Sequence, residues 1–113
     1  MIRRLNQLDR QMNPHLLAFA LLGALCVSGC ATSLETGAEK VQVVTAGQKE
    51  RSCNPLGIVS TEQRVGPNKP GNAMNKALNE VARRGGNGIF VLSSAVDWAE
   101  GASVTAEALQ CKF

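Results

Sequence analysis

Residues 16–27 are almost wholly apolar, follow three arginines (Arg3, Arg4 and Arg10) and lead through Val27-Ser28-Gly29 into Cys30. The run holds about a dozen residues, whereas a helix rising 1.5 Å per residue needs roughly 20 to cross a bilayer core of about 30 Å. It is too short to span and suits the apolar region of a signal peptide. The order of charge, apolar run and small residues is the processing signature. A buried hydrophobic helix with an incidental cysteine is the plainer alternative, and it leaves that order unexplained. Cutting ahead of Cys30 removes residues 1–29 as a signal segment and leaves 84 of the 113 residues. That length has room for one domain only.

Leu25-Cys26-Val27-Ser28-Gly29-Cys30 resembles the lipobox of bacterial lipoproteins. The resemblance implies that Cys30 becomes the first residue of the mature protein, with a diacylglyceryl thioether on its sulfur and an N-acyl group. One acyl chain anchors marginally and two or more anchor firmly, at about 0.8 kcal/mol per buried methylene. It also implies delivery to the outer membrane, because Ala31 and not Asp follows the cysteine.

The remainder carries nine basic and eight acidic side chains, so most of the whole-chain charge of +3 belongs to the removed part. A basic balance that pointed to nucleic acid is therefore absent. Residues 30–40 read as the lipidated Cys30 and a flexible polar tether. Ten residues reach at most ~35 Å extended and ~17 Å as a coil. A single domain then spans 41–113. At about 70 residues a hydrophobic core alone is marginal. Cys53 and Cys111 are an even pair in an oxidising compartment, which reads as one disulfide. Its loop of about 58 residues is worth roughly 4 kcal/mol by chain entropy. The alternative is two reactive thiols, but the spacing is not Cys-x-x-Cys and no histidine remains to activate them.

The pattern along the domain is strand, strand, helix, strand, strand. Val41–Thr45 is β-branched and ends near Gly47. Cys53–Ser60 is a second strand, regular only past Pro55. Residues 66–71 are turn formers. Asn72 then caps a helix in which Ala73, Met74, Ala77, Leu78, Val81 and Ala82 form the apolar face. Asn75, Lys76, Asn79, Glu80, Arg83 and Arg84 lie largely on the other face, with Lys76 and Glu80 spaced to pair. The helix stops at Gly85-Gly86. Ile89–Leu92 is a continuous apolar run, the pattern of a strand covered on both faces. Residues 97–101 make a turn and Ser103–Cys111 the last strand. The expectation is an α+β fold, a small ββαββ module with a mixed sheet, one helix packed on it and one disulfide. A crossover through the helix makes the second and third strands parallel. That puts Cys53 and Cys111 at the same end of the sheet.

These features together resemble a family. A lipobox, Cys followed by Leu-Gly-Ile-Val-Ser, an Ala-rich helix, Gly-Gly-Asn-Gly-Ile-Phe-Val and a late Cys are similar to the small lipoproteins of enteric bacteria typified by YjeI, a DUF4156-like group. That group resembles, more distantly, RcsF, an outer-membrane stress-sensing lipoprotein. The likeness covers roughly Cys53 to Cys111 and implies the fold more than any activity. The helix-to-strand junction of such proteins usually reads Gly-Ala-Asn, and here it is Gly85-Gly86-Asn87.

Without His15 the mature part has neither histidine nor tyrosine. That removes Ser-His and Cys-His catalysis and histidine-based zinc sites. Glu62 and Glu80 are a carboxylate pair only if the fold joins them. Gly85-Gly86-Asn87-Gly88 lacks the Walker lysine and the dinucleotide spacing. It resembles a KH-type loop, but it follows a helix and reads as a cap. Arg83-Arg84 is either a cationic helix end complementing the macrodipole or a contact for acidic groups. Trp98, alone of its kind and set in a turn, is an ordinary exposed aromatic or an interaction anchor. The expectation is a membrane-bound lipoprotein held through lipid on Cys30, facing the periplasm from the outer membrane. Its non-enzymatic module binds another envelope component, in envelope stress or maintenance, through Trp98, Arg83 and Arg84. No cofactor, metal or nucleic acid is expected. A periplasmic thiol-redox protein using Cys53 and Cys111 is the alternative, and so small a module offers little volume for a ligand carrier.

Overall fold

The structure, a computed structural model, describes residues 31–113. The expected signal segment 1–29 and the expected lipidation site Cys30 lie outside them. Two short pieces come first, a 3-10 turn Ala38–Lys40 and a strand β1 of two residues, Gln42–Val43. Helix α1 is Ala46–Ser52 and strand β2 Cys53–Gln63. Helix α2 is Lys69–Arg83, followed by β3, Gly88–Asp97, and β4, Gly101–Cys111. The strands form one mixed sheet in the order β1-β3-β4-β2. β1 runs parallel to β3, and β4 runs antiparallel to both β3 and β2. The fold is α+β as expected, with β2 and β3 pointing the same way on either side of β4.

Helix α1 is an addition to the expected order. Thr45 Oγ1 accepts from Gln48 N–H (3.2 Å) and Gln48 Oε1 accepts from Thr45 N–H (2.9 Å), a capping box. That box turns the chain at Thr45 and cuts the expected strand 41–45 to two residues. Helix α2 starts earlier than expected. Asn68, not Asn72, caps it, accepting from Gly71 N–H at 3.3 Å, with Pro70 in the first turn. Asn72 is inside the helix and buried.

The side chains of β4 alternate. Ala102, Val104, Ala106 and Ala108 point to one face and meet Ala73, Ala77 and Val81 of α2 across Val59 and Ile89. Alanine facing alanine lets the helix axis approach closely, which is why this central strand reads weakly in the sequence. On the opposite face Leu109 and Cys111 pack with Val44, Cys53 and Phe90. β3 is covered on both faces only at the start of its apolar run, where Ile89 packs with the α2 cluster and Phe90 with the opposite one. Only Gly88 and Ile89 pair with β1. Past them β3 is an edge strand, and Leu92, at a break in the β3–β4 register, is 49% exposed.

Candidate functional site

Three places carry the residues singled out by sequence. At one end of the sheet, Cys53 and Cys111 are direct partners in the β2–β4 ladder and their sulfurs are bonded. Cys111 is buried and Cys53 partly so. The surrounding backbone is tied down. Asn87 Nδ2 donates to the Cys111 carbonyl (2.8 Å) while Cys111 N–H donates to Asn87 Oδ1 (2.7 Å). Lys112 N–H donates to the Ser52 carbonyl at 2.9 Å. This assigns Asn87 in the Gly85-Gly86-Asn87 junction: it holds the end of β4. A Cβ at Gly86 would stand 2.8 Å from Val81 Cγ1 and 2.9 Å from the Leu109 carbonyl oxygen, so the extra methyl of a Gly-Ala-Asn junction has no room here. The amides of Arg84, Gly85 and Gly86 donate back to α2 carbonyls, which makes the segment a helix cap and leaves no phosphate cradle.

The second place is the polar side of α2. Residues 31–40, expected as a flexible tether, are docked there. Thr32 N–H donates to Asn72 Oδ1 (2.7 Å) and Asn75 Nδ2 donates to the Thr32 carbonyl (2.8 Å). Asn79 Nδ2 donates to the Ser33 carbonyl (3.0 Å), and Glu35 N–H donates to Asn79 Oδ1 (2.7 Å). Three asparagines at helical spacing thus read the backbone of an extended segment, and Ala38 closes its end as a buried residue. The sequence reading put Asn75 and Asn79 largely opposite the apolar face and placed nothing against them. Their recurrence at positions 72, 75 and 79 is the signal that a strand of chain covers them.

Arg83 belongs to this docking. Its guanidinium takes Glu35 with Nε (3.0 Å to Oε2) and Nη2, and reaches Glu80 with Nη1 (3.3 Å). The hydrogen bonds from Arg83, and its charge, hold the Glu35 carboxyl below the usual carboxylate range; Glu35 in turn raises Arg83. Arg84 donates to Glu80 (3.2 Å) and to the Ile58 carbonyl (3.2 Å). Lys76, expected to pair with Glu80, donates instead to the Glu62 carbonyl at 2.8 Å. An open cleft of about 710 Å³ runs between residues 31–35, α2 and β2, and both Glu62 and Glu80 line it. Its cations Lys76, Arg83 and Arg84 are engaged within the chain, so the wall is a network of internal pairs.

The third place is the β3–β4 turn. Asp97 Oδ1 accepts from Ala99 N–H (2.7 Å) and Glu100 N–H (3.0 Å). Those two amides, Glu100 first, hold the Asp97 carboxyl below its ordinary range. The turn is therefore locked by its own aspartate, and it carries Trp98, 90% exposed. Lys69 Nζ donates to the Trp98 carbonyl at 3.4 Å, which sets the turn beside the start of α2. Arg83 and Arg84 are at the other end of that helix, about 21 Å away at 1.5 Å per residue. The structure does not bring Trp98 and the arginines onto one patch.

Among the described residues no three His, Cys, Asp or Glu side chains group as metal ligands. No helix among them is long and apolar enough to cross a membrane. In comparisons with protein-family models, curated proteins and solved structures, nothing matches the chain.

Proposed function

We propose that this chain is a bacterial lipoprotein of the kind its lipobox resembles, cleaved ahead of Cys30, acylated there and held in the outer membrane facing the periplasm. Its small module is non-catalytic and binds another envelope component in envelope maintenance or stress. The observation that carries the binding reading is Trp98. It is 90% exposed on a turn that its neighbour Asp97 locks. With the turn backbone held, a partner that covers the ring has only the side chain left to order, and tryptophan is enriched among interface hot spots. Arg83 and Arg84 serve the module itself in this reading, since their guanidinium groups are spent on Glu35, Glu80 and Ile58. The docked segment adds a consequence for anchoring. Thr32, two residues past Cys30, is already hydrogen-bonded to α2. Residues 31–40 then do not act as a free ten-residue coil between Cys30 and the module.

Two measurements test this. Mass spectrometry of the intact protein from envelope fractions should find a chain beginning at Cys30, carrying three acyl chains and one disulfide. An uncut, unacylated chain sinks the anchoring. Capture of envelope partners by wild type and by Trp98→Ala should differ, whereas Arg83→Ala/Arg84→Ala should keep the wild-type set. Identical lists for wild type and Trp98→Ala sink the proposed contact.

A further inference from the structure

The two edges of the sheet are treated differently. β2 forms one edge. Its outward carbonyls at Ile58 and Glu62 already accept from Arg84 Nη1 and Lys76 Nζ. Two cations from α2 therefore occupy the row of groups that an added strand would need. β3 forms the other edge. β1 covers it at Gly88 and Ile89 only, so among the described residues no strand lies beside that side of β3 from Val91 to Val96. Between Gly88 and Asp97 there is no charged residue, proline or glycine. Leu92 is 49% and Val96 67% exposed. Charges, prolines, short lengths and bulges keep edge strands from pairing; this edge has none of the first three, and its one irregularity is the register break between Val91 and Ser93.

We propose that Val91–Val96 is an interface for a second copy of this chain, whose β3 pairs antiparallel with the first to make one eight-stranded sheet. Three features favour a second copy over a foreign strand. A strand without charges meets its own image with no like-charge contact. The pairing is isologous and closes at two, and afterwards the only outer edges are the two β2 strands, both guarded by Lys76 and Arg84. The flanks are complementary as well. With Ser94 on the twofold axis, Ser93 faces Ala95 of the other copy, and Val96 faces the bulged Val91-Leu92 pair. The inference stands on the sheet alone and does not depend on lipid at Cys30.

The axis gives a direct test in the full-length chain carrying Cys26→Ser and Cys30→Ser, so that the introduced thiol is the one left outside the Cys53–Cys111 pair. Twofold-related residues on paired antiparallel strands have Cα atoms about 4.5–5.5 Å apart, within disulfide reach. Ser94→Cys should oxidise to a covalent homodimer, and Ser60→Cys on the guarded β2 edge should not. Light scattering of the wild type should give the mass of two chains. Adding Val96→Lys to Ser94→Cys should cut cross-linking by about tenfold or more, because each copy then sets a charge into the pairing edge. Retention of the Cys53–Cys111 bond and of the melting temperature checks that this variant folds. A monomeric wild type, equal cross-linking from positions 60 and 94, or adducts of mass other than two chains would each overturn the proposal. So would a folded Val96→Lys protein that cross-links as before.

Discussion

At Gly101 the backbone has φ +108°, and an added Cβ would stand 2.3 Å from the Gln63 carbonyl oxygen and 2.7 Å from Arg64 Cα. Both obstacles are backbone, so no side chain can swing away, and the dihedral itself disfavours any residue with a Cβ. Gly101→Ala should lower stability by about 2 kcal/mol or more, read as a lower urea midpoint. An unchanged midpoint would show that the end of β2 moves aside freely. The sequence marked this glycine as a turn residue but could not show that the last ladder pair of β2, Gln63 with Ala102, lies against it. Glu35 is a second residue whose role is local. Arg83 depresses its carboxyl, so the unfolded chain, titrating near 4.3, takes up a proton more readily than the folded one. The contribution is complete above that value and fades as pH falls through the lower folded one. Both partners are exposed, so the effect belongs to the docked segment and not to global stability. Amide protection at Thr32 and Glu35 should fall below pH ~4 while that of Ala106 in the core persists. Parallel loss at all three would place the acid effect elsewhere.

Among the elements, α2 does two jobs with two faces. Its apolar periodicity was legible, because Ala73, Ala77 and Val81 recur at the spacing that meets the sheet. What covers the other face was not legible, because polarity at helical spacing looks the same whether water or a backbone satisfies it. Asn79 is 3% exposed and bonds to both Ser33 and Glu35. Asn79→Ala leaves that amide and that carbonyl without their partners, which should cost about 1–3 kcal/mol and open residues 31–37 to proteases. If cleavage there stays as slow as in the wild type, Asn72, Asn75 and Arg83 hold the segment without it. Other elements follow the same logic. The turn at 97–101 was legible because Asp, Gly and a change of direction are all local. β3 was legible only at its start, because an apolar run reports hydrophobicity and not how far a neighbour extends, and its neighbour β1 proved two residues long. Thr45-x-x-Gln48 carried the signal for α1, which the β-branched run ahead of it obscured.

For the molecule as a whole, the question is what a core of this size can hold. The largest fully buried side chains are Ile89, Leu109, Val59 and Val81, and the rest of the helix–sheet contact is mostly alanine. Alanine contributes little apolar area, at roughly 25 cal/mol per Å², so the packing is close but not deep. The Cys53–Cys111 bond spans 58 residues and its loop runs through β2, α2, β3 and β4. Closing a loop of that length limits the unfolded chain by roughly 4 kcal/mol, a large share of the stability of a domain this small. Replacing both cysteines (Cys53→Ser with Cys111→Ser) should therefore lower the melting temperature by about 15–30 °C, with reductant acting alike on the wild type. The same measurement bears on the thiol-redox alternative. A bond that cycles must be broken without unfolding the module, so a redox pair needs a reduced form that melts near the oxidised one. A large drop identifies a staple, whereas coincident melting curves would return Cys53 and Cys111 to the list of reactive groups.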